Sequence, residues 1–219
     1  MNIALFGGTF DPIHSGHLQA ARAATRRFRL DRVLFIPAGS PPHKRRVRLT
    51  PYVHRYAMVA LACAGEPKFV PSLLESPRPD GRLHYSVGTA RAVSKSLRPD
   101  DRLFFLLGLD AFLDVPQWKS PERLAALAEF IVVSRPGFRI EQVLAAMPAH
   151  FVNGGRRRGA IIRERLHVLD GVNVPASSTG IRQALAQGRS VTGLIPRLVE
   201  EYILKAEFYK PKTRRGSYA

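Results

Sequence analysis

Two histidines, His14 and His17, close the stretch Gly7-Gly8-Thr9-Phe10-Asp11-Pro12-Ile13-His14-Ser15-Gly16-His17. Imidazoles three residues apart can both reach one anion, donating to a phosphoryl group without a lysine's permanent charge and gaining charge as negative charge develops. The glycine pair frees the backbone to turn sharply and lets a ligand approach closely. Leu18, Ala21, Thr25 and Phe28 fall at helical spacing, so a helix is expected to start near residue 16. Both histidines would then flank unpaired N–H groups that attract phosphate. Neither GxxxxGK[ST] nor GxGxxG occurs, so no P-loop or dinucleotide fingerprint accounts for the glycines. Zinc is the competing reading; it wants further ligands, and only Asp11 is at hand, so no metal ligation by protein side chains is expected. Two surface loop histidines are the third reading of HxGH alone.

A second polar cluster lies far along the chain. Ser177-Ser178-Thr179 precede Gly180 and Arg182 at a predicted helix start, where one hydroxyl suffices as a cap and the others, with the arginine, suit a polyphosphate. Gly108 and Asp110 follow an apolar run, where a carboxylate suits a ribose hydroxyl or a helix cap. Lys44 sits in the basic loop Ser40-Pro41-Pro42-His43-Lys44-Arg45-Arg46, a candidate for phosphate contact or a solvated loop.

These groups need a scaffold that gathers distant loops at one edge. Asn2–Phe6, Arg32–Pro37, Phe69–Leu74, Leu103–Leu107, Phe130–Val133 and Leu166–Leu169 read as strands. Helices are expected from about residue 16, from Pro51 through Cys63, over 84–97, over 140–147, from about residue 178, and from Pro196 to about Ala206. Strands alternating with helices make an α/β doubly wound, Rossmann-like parallel sheet, with ligands at the strands' C-terminal edge and a small helical C-terminal part over 177–206. Residues 1–206 read as one domain, and 207–219 as a disordered basic tail.

The 219 residues, 45% apolar, can bury a sizeable core. Lys and Arg number 34 against 17 Asp and Glu, a net charge of +17 that fits an anionic substrate and exceeds what one nucleotide pair requires. A nucleic-acid-binding protein is therefore the alternative from another class. The charge is spread over several loops without a recognition signature, so no specific nucleic acid is expected. Cys63 is the sole cysteine, which excludes an internal disulfide and points to a reducing compartment. No run approaches a membrane span and no signal segment opens the chain, so a cytoplasmic protein is expected.

In full context GGTFDPIHSGH resembles the signature of the HxGH nucleotidyltransferases, a superfamily distantly allied to class I aminoacyl-tRNA synthetases. With PAGSPPHK (37–44), GLDAFLDVPQW (108–118), VSRPG (133–137), SSTGIR (177–182) and LIPRLVEEYI (194–203), the chain resembles the nicotinate mononucleotide adenylyltransferases, bacterial enzymes of NAD biosynthesis. Other HxGH enzymes, the pantetheine-phosphate and nicotinamide mononucleotide adenylyltransferases among them, are the alternatives within the superfamily. A class I synthetase would need a lysine motif and a tRNA-binding domain, and SSTGIR has no lysine.

The resemblance implies ATP and nicotinate mononucleotide as substrates, with Mg²⁺ arriving on ATP. By that likeness His14, His17 and Arg182 are catalytic. ATP is held by Gly7, Gly8, Thr9, Phe10, both histidines, Gly108, Asp110, Ser178, Thr179 and Arg182; the mononucleotide falls to Lys44, Thr89, Trp118 and Arg135. One position departs from the family: Tyr85-Ser86-Val87-Gly88-Thr89 has Gly88 where an aspartate is usual.

Overall fold

The computed structural model describes residues 1–39, 49–134, 140–145, 147, 165–172 and 175–210. Six strands form one parallel sheet in the order β3-β2-β1-β4-β5-β6. They are β1 (Asn2–Gly8), β2 (Arg32–Pro37), β3 (Phe69–Pro71), β4 (Arg102–Gly108), β5 (Glu129–Val133) and β6 (Leu166–Leu169). This is the doubly wound α/β fold expected, and its strand order reverses between β1 and β4. A crevice opens there, beyond the strands' C-terminal ends. Phe6 pairs with Leu106, and Gly7 and Gly8, expected to turn, instead continue β1 in register with Ile36 and Pro37, so the end of β1 and Gly108 lie side by side at that reversal.

Helices cover both faces. On one lie α1 (Ser15–Arg27), α2 (Tyr52–Cys63), α7 (Ser178–Ala186) and α8 (Arg197–Lys205); on the other lie α3 (Ser86–Ser94), α4 (Leu109–Leu113), α5 (Pro121–Leu127) and α6 (Ile140–Ala145). Strand alternation sorts the core between them. Ala4 and Phe6 of β1 join Phe35, Met58, Val59 and Val199 on the first face, while Ile3 and Leu5 join Phe105, Phe112, Leu124 and Phe130 on the second. Phe35 and Phe104 are fully buried. Truncating either to alanine should cost about 3–5 kcal/mol.

Several boundaries differ from expectation. β3 stops at Pro71, three residues early, because a proline cannot donate to a ladder and this is the sheet's edge. The second-face helix expected over 84–97 spans only Ser86–Ser94, since His84 Nε2 is instead bonded to the Ser76 carbonyl at 2.8 Å. Helices α4 and α5 have no counterpart among the expected elements. Residues 207–210, expected to belong to the tail, make contacts with the domain: Phe208 packs edge-on to His54 with centroids 4.7 Å apart, and the Tyr209 side chain reaches the His14 loop. Residues 211–219 lie outside the described residues.

Candidate active site

The His14–His17 segment starts α1 as predicted. His14 is the N-cap in extended conformation, and its backbone N–H donates to His17 Nδ1 at 3.2 Å. That bond fixes the neutral His17 tautomer, with the proton on Nε2. The two rings lie face to face, 30° from parallel with centroids 3.7 Å apart. Phe10 and Phe6 meet the His17 ring edge-on at 5.0 and 5.9 Å. This enclosure is electrostatically decisive. Burial pushes the His14 pKa down to about 4 and, with the neighbouring His14 ring, holds His17 well below the ordinary 6.5. Both are therefore neutral donors at neutral pH. His14 Nδ1 is buried without a hydrogen-bond partner, and a Cβ on Gly16 would come within 3.0 Å of the ring, which is why glycine stands between the histidines.

The preceding turn is clamped from three sides. Phe10 adopts φ +49, a left-handed conformation that a non-glycine residue holds only when its surroundings over-determine it. Arg55 of α2, 2% exposed, donates from Nη1 to the Thr9 carbonyl at 2.8 Å and from Nε to the Thr50 carbonyl at 2.9 Å. From α7, Ser178 Oγ donates to the Pro12 carbonyl at 2.9 Å, and Arg182 Nη1 to the Asp11 carbonyl at 2.6 Å. The Asp11 carboxylate accepts the Thr50 N–H at 3.3 Å and the Tyr209 hydroxyl at 2.5 Å. Ser15 binds the Leu194 carbonyl through both its N–H and its hydroxyl, each at 2.8 Å. The N-termini of α1 and α7 thus converge on one loop.

Among the predicted residues, His14, His17, Ser178, Thr179 and Arg182 come together here. Ser177 is the N-cap of α7, accepting the Gly180 N–H at 3.1 Å, and Arg182 Nη2 reaches Thr179 Oγ1 at 3.3 Å. Ser178 and Arg182 bind loop carbonyls, so the SSTGIR motif also shapes the HxGH loop. Gly108 is the N-cap of α4 and Asp110 an exposed residue of its first turn, without a side-chain capping bond. The capping alternative for Asp110 is therefore not used.

A cavity of about 580 Å³ joins two of the mononucleotide candidates, Thr89 and Trp118, to the end of β1. Gly7, Gly8 and Thr9 line it together with Thr89, Trp118 and Lys119. Trp118 stands edge-on to Phe105 at 5.9 Å, half in the core and half in the cavity. The buried Thr89 hydroxyl donates to Glu75 Oε1 at 2.8 Å, and burial raises the pKa of that carboxyl. Lys119 Nζ lies 4.4 Å from the centre of the Tyr85 ring. A side chain on Gly39 would collide with the Glu75 carbonyl, 2.2 Å away, so a glycine is needed where the chain enters the cavity wall. Lys44 and Arg135 lie outside the described residues.

Sequence reading missed Arg55, Glu75, Lys119 and Tyr209. Arg55 could have been suspected as the one charged residue between the apolar positions of α2; the other three carry no local signal.

Among the described residues no three His, Cys, Asp or Glu side chains gather to hold a metal ion, and no helix is long and apolar enough to cross a membrane. The cytidylyltransferase-like family profile matches residues 5–184. A Thermus thermophilus protein described as a "Probable nicotinate-nucleotide adenylyltransferase" is 43% identical over 210 residues, covering 96% of this chain and all of that one. A Solibacter usitatus protein of the same description is 42% identical over 200 residues, covering 91% and 95%. The chain belongs to the nicotinate-nucleotide adenylyltransferase family. Its fold agrees with that of the Plasmodium falciparum nicotinic acid mononucleotide adenylyltransferase solved with NaAD, at a TM-score of 0.71 and 20% identity over 95% of this chain and 97% of that one. Gly88, where the resemblance leads one to expect an aspartate, is an exposed residue in the first turn of α3, and a Cβ there would meet nothing within 4 Å.

Proposed function

We propose that the protein joins the AMP moiety of ATP to nicotinate mononucleotide, forming nicotinate adenine dinucleotide and pyrophosphate by direct in-line attack. One observation carries the reading: the end of β1, Gly7 to Thr9, leads into the His14–His17 loop and also lines the cavity that holds Thr89 and Trp118. Two substrates bound on either side of that strand end would meet at it. A 5′-phosphate oxygen of the mononucleotide forms a bond to the α-phosphorus; the bond to the β-phosphate oxygen breaks, and its electron pair leaves with pyrophosphate. The nucleophile is already anionic, with a second phosphate pKa of about 6, so no general base is required. The work left to the protein is alignment and charge stabilisation.

His17 Nε2–H, freed by the Nδ1 bond to His14, serves the α-phosphate, and His14 the adjoining oxygens. Gly7–Phe10 supply backbone N–H groups. Ser178, Thr179 and Arg182 flank the triphosphate, while Gly108 and Asp110 face the ribose of ATP. Thr89 and Trp118, with Lys44 and Arg135, take the mononucleotide. Both carboxylate oxygens of Asp11 are already occupied, so Mg²⁺ enters on the ATP phosphates, where it neutralises charge, rather than in a protein cage. A single cysteine and nucleotide substrates suit the cytoplasm.

The test is to incubate the purified protein with ATP, Mg²⁺ and each pyridine mononucleotide, and to identify products by mass. Nicotinate adenine dinucleotide with stoichiometric pyrophosphate is expected. ATP hydrolysis without a dinucleotide would defeat the reading.

A further inference from the structure

The C-terminal segment after α8 does something the composition of the tail conceals. Glu207 and Tyr209 take φ +56 and +63, left-handed conformations that disfavour ordinary side chains. Two such residues within three positions reverse the chain and carry the Tyr209 ring back under the His14 loop. What offsets that strain is specific bonding. Tyr209 Oη accepts from Thr50 Oγ1 at 2.9 Å and donates to Asp11 Oδ1 at 2.5 Å, and the ring is braced by Phe208, centroids 6.1 Å apart. Burial and the facing carboxylate raise the Tyr209 pKa, so the hydroxyl keeps the proton it donates.

We infer that Tyr209 is a positioning residue for the adenylyl transfer: its hydroxyl, held by Thr50, orients the Asp11 carboxylate and thereby the turn that delivers His14 and His17. It touches neither substrate nor the reacting atoms. Asp11 is the natural point of control. It lies three residues before His14, and its side chain and carbonyl are gripped by three separate elements: Thr50 ahead of α2, Arg182 of α7, and Tyr209 beyond α8. Arg55 and Ser178 hold the carbonyls on either side, so freeing the carboxylate leaves the loop in place but lets its angle drift. A reacting group displaced by about 1 Å can cost about 100-fold in rate while substrates still bind.

This inference rests on the reaction proposed above, and the measurements separate the two: wild-type product formation tests the reaction, and the variant-to-wild-type ratio tests Tyr209. Tyr209→Phe keeps the ring and removes only the donor. Steady-state kinetics should show kcat lowered about 10- to 100-fold with KM for ATP and mononucleotide within about twofold, in a protein that still melts cooperatively. In an Asp11→Asn background the same change should have little further effect, because the partner it acts through is already altered. Unchanged kcat, or losses that simply multiply in the double variant, would overturn the inference. Should Tyr209→Phe fail to fold, Thr50→Val and Thr50→Ser test the hydroxyl's other contact: valine should lower kcat and serine restore it, and a fully active Thr50→Val enzyme rejects the arrangement.

Discussion

The His14 backbone N–H donates to Nδ1 of His17, and the two imidazoles stack with their centroids 3.7 Å apart. One residue thus sets the tautomer of the other. Two protonated rings at that distance would repel, and burial already disfavours the charge, so the pair presents neutral N–H donors.

A donor that matters most when charge develops should show its loss in turnover. His17→Ala is expected to lower kcat about 10²- to 10³-fold while ATP affinity, measured separately by calorimetry, changes far less. A folded variant with near-normal kcat would leave the loop as a binding element only.

The buried imidazole also predicts a stability profile. The folded-state pKa of His14, about 4, lies below its ordinary 6.5, so between these values the unfolded chain takes up a proton that the folded chain refuses. Stability therefore falls as pH drops through 6.5, and this loss levels off once His14 itself protonates near pH 4. At pH 5 the contribution is about 2 kcal/mol. Urea denaturation at pH 7.5 and pH 5 should show His14→Asn losing about that much less than wild type. Parallel losses in the two proteins would mean that the ring is not shielded.

Gly88 stands where the resemblance leads one to expect an aspartate. It lies in the first turn of α3, which carries no acidic residue, and there is open space around its Cα. Gly88→Ala should stabilise the fold by about 0.5–1 kcal/mol through helix propensity alone. Gly88→Asp should gain a similar amount from the helix dipole. Thermal melts decide this; a lowered Tm for both would reveal a strain that the backbone does not display.

The scaffold was legible where burial is two-sided. Leu103–Leu107 reads as a central strand because both of its faces are covered, and Arg32–Pro37 needed no adjustment at all. α5 escaped notice because it has only seven residues and begins after Ser120 at φ +51, with too little length for a periodic apolar stripe. The HxGH and SSTGIR motifs could be read as two polar clusters, but their mutual grip could not. Ser178 and Arg182 bind the carbonyls of Pro12 and Asp11, and a backbone acceptor leaves no mark in residue type. Tyr209 was hidden for another reason: the basic residues of 207–219 outweigh its few aromatics in any compositional reading.

Choice between nicotinate and nicotinamide mononucleotides should turn on Lys119. The Thr89 hydroxyl spends its proton on Glu75, so it can accept from a bound ring substituent but not donate to it. Among the described residues lining that cavity, the ammonium of Lys119, resting over Tyr85, is the cation available to a ring carboxylate. A carboxamide offers it no charge. A charge-assisted hydrogen bond contributes about 1.5–3 kcal/mol, and partial exposure of this one brings it to the lower end, about tenfold in affinity. Lys119→Met, which keeps the stem's packing, should therefore lower kcat/KM for nicotinate mononucleotide about tenfold and leave the nicotinamide form within about twofold. Measuring both substrates with wild type and variant gives the ratio directly. An unaltered ratio would move the discrimination to the backbone N–H groups around Thr89 and Trp118.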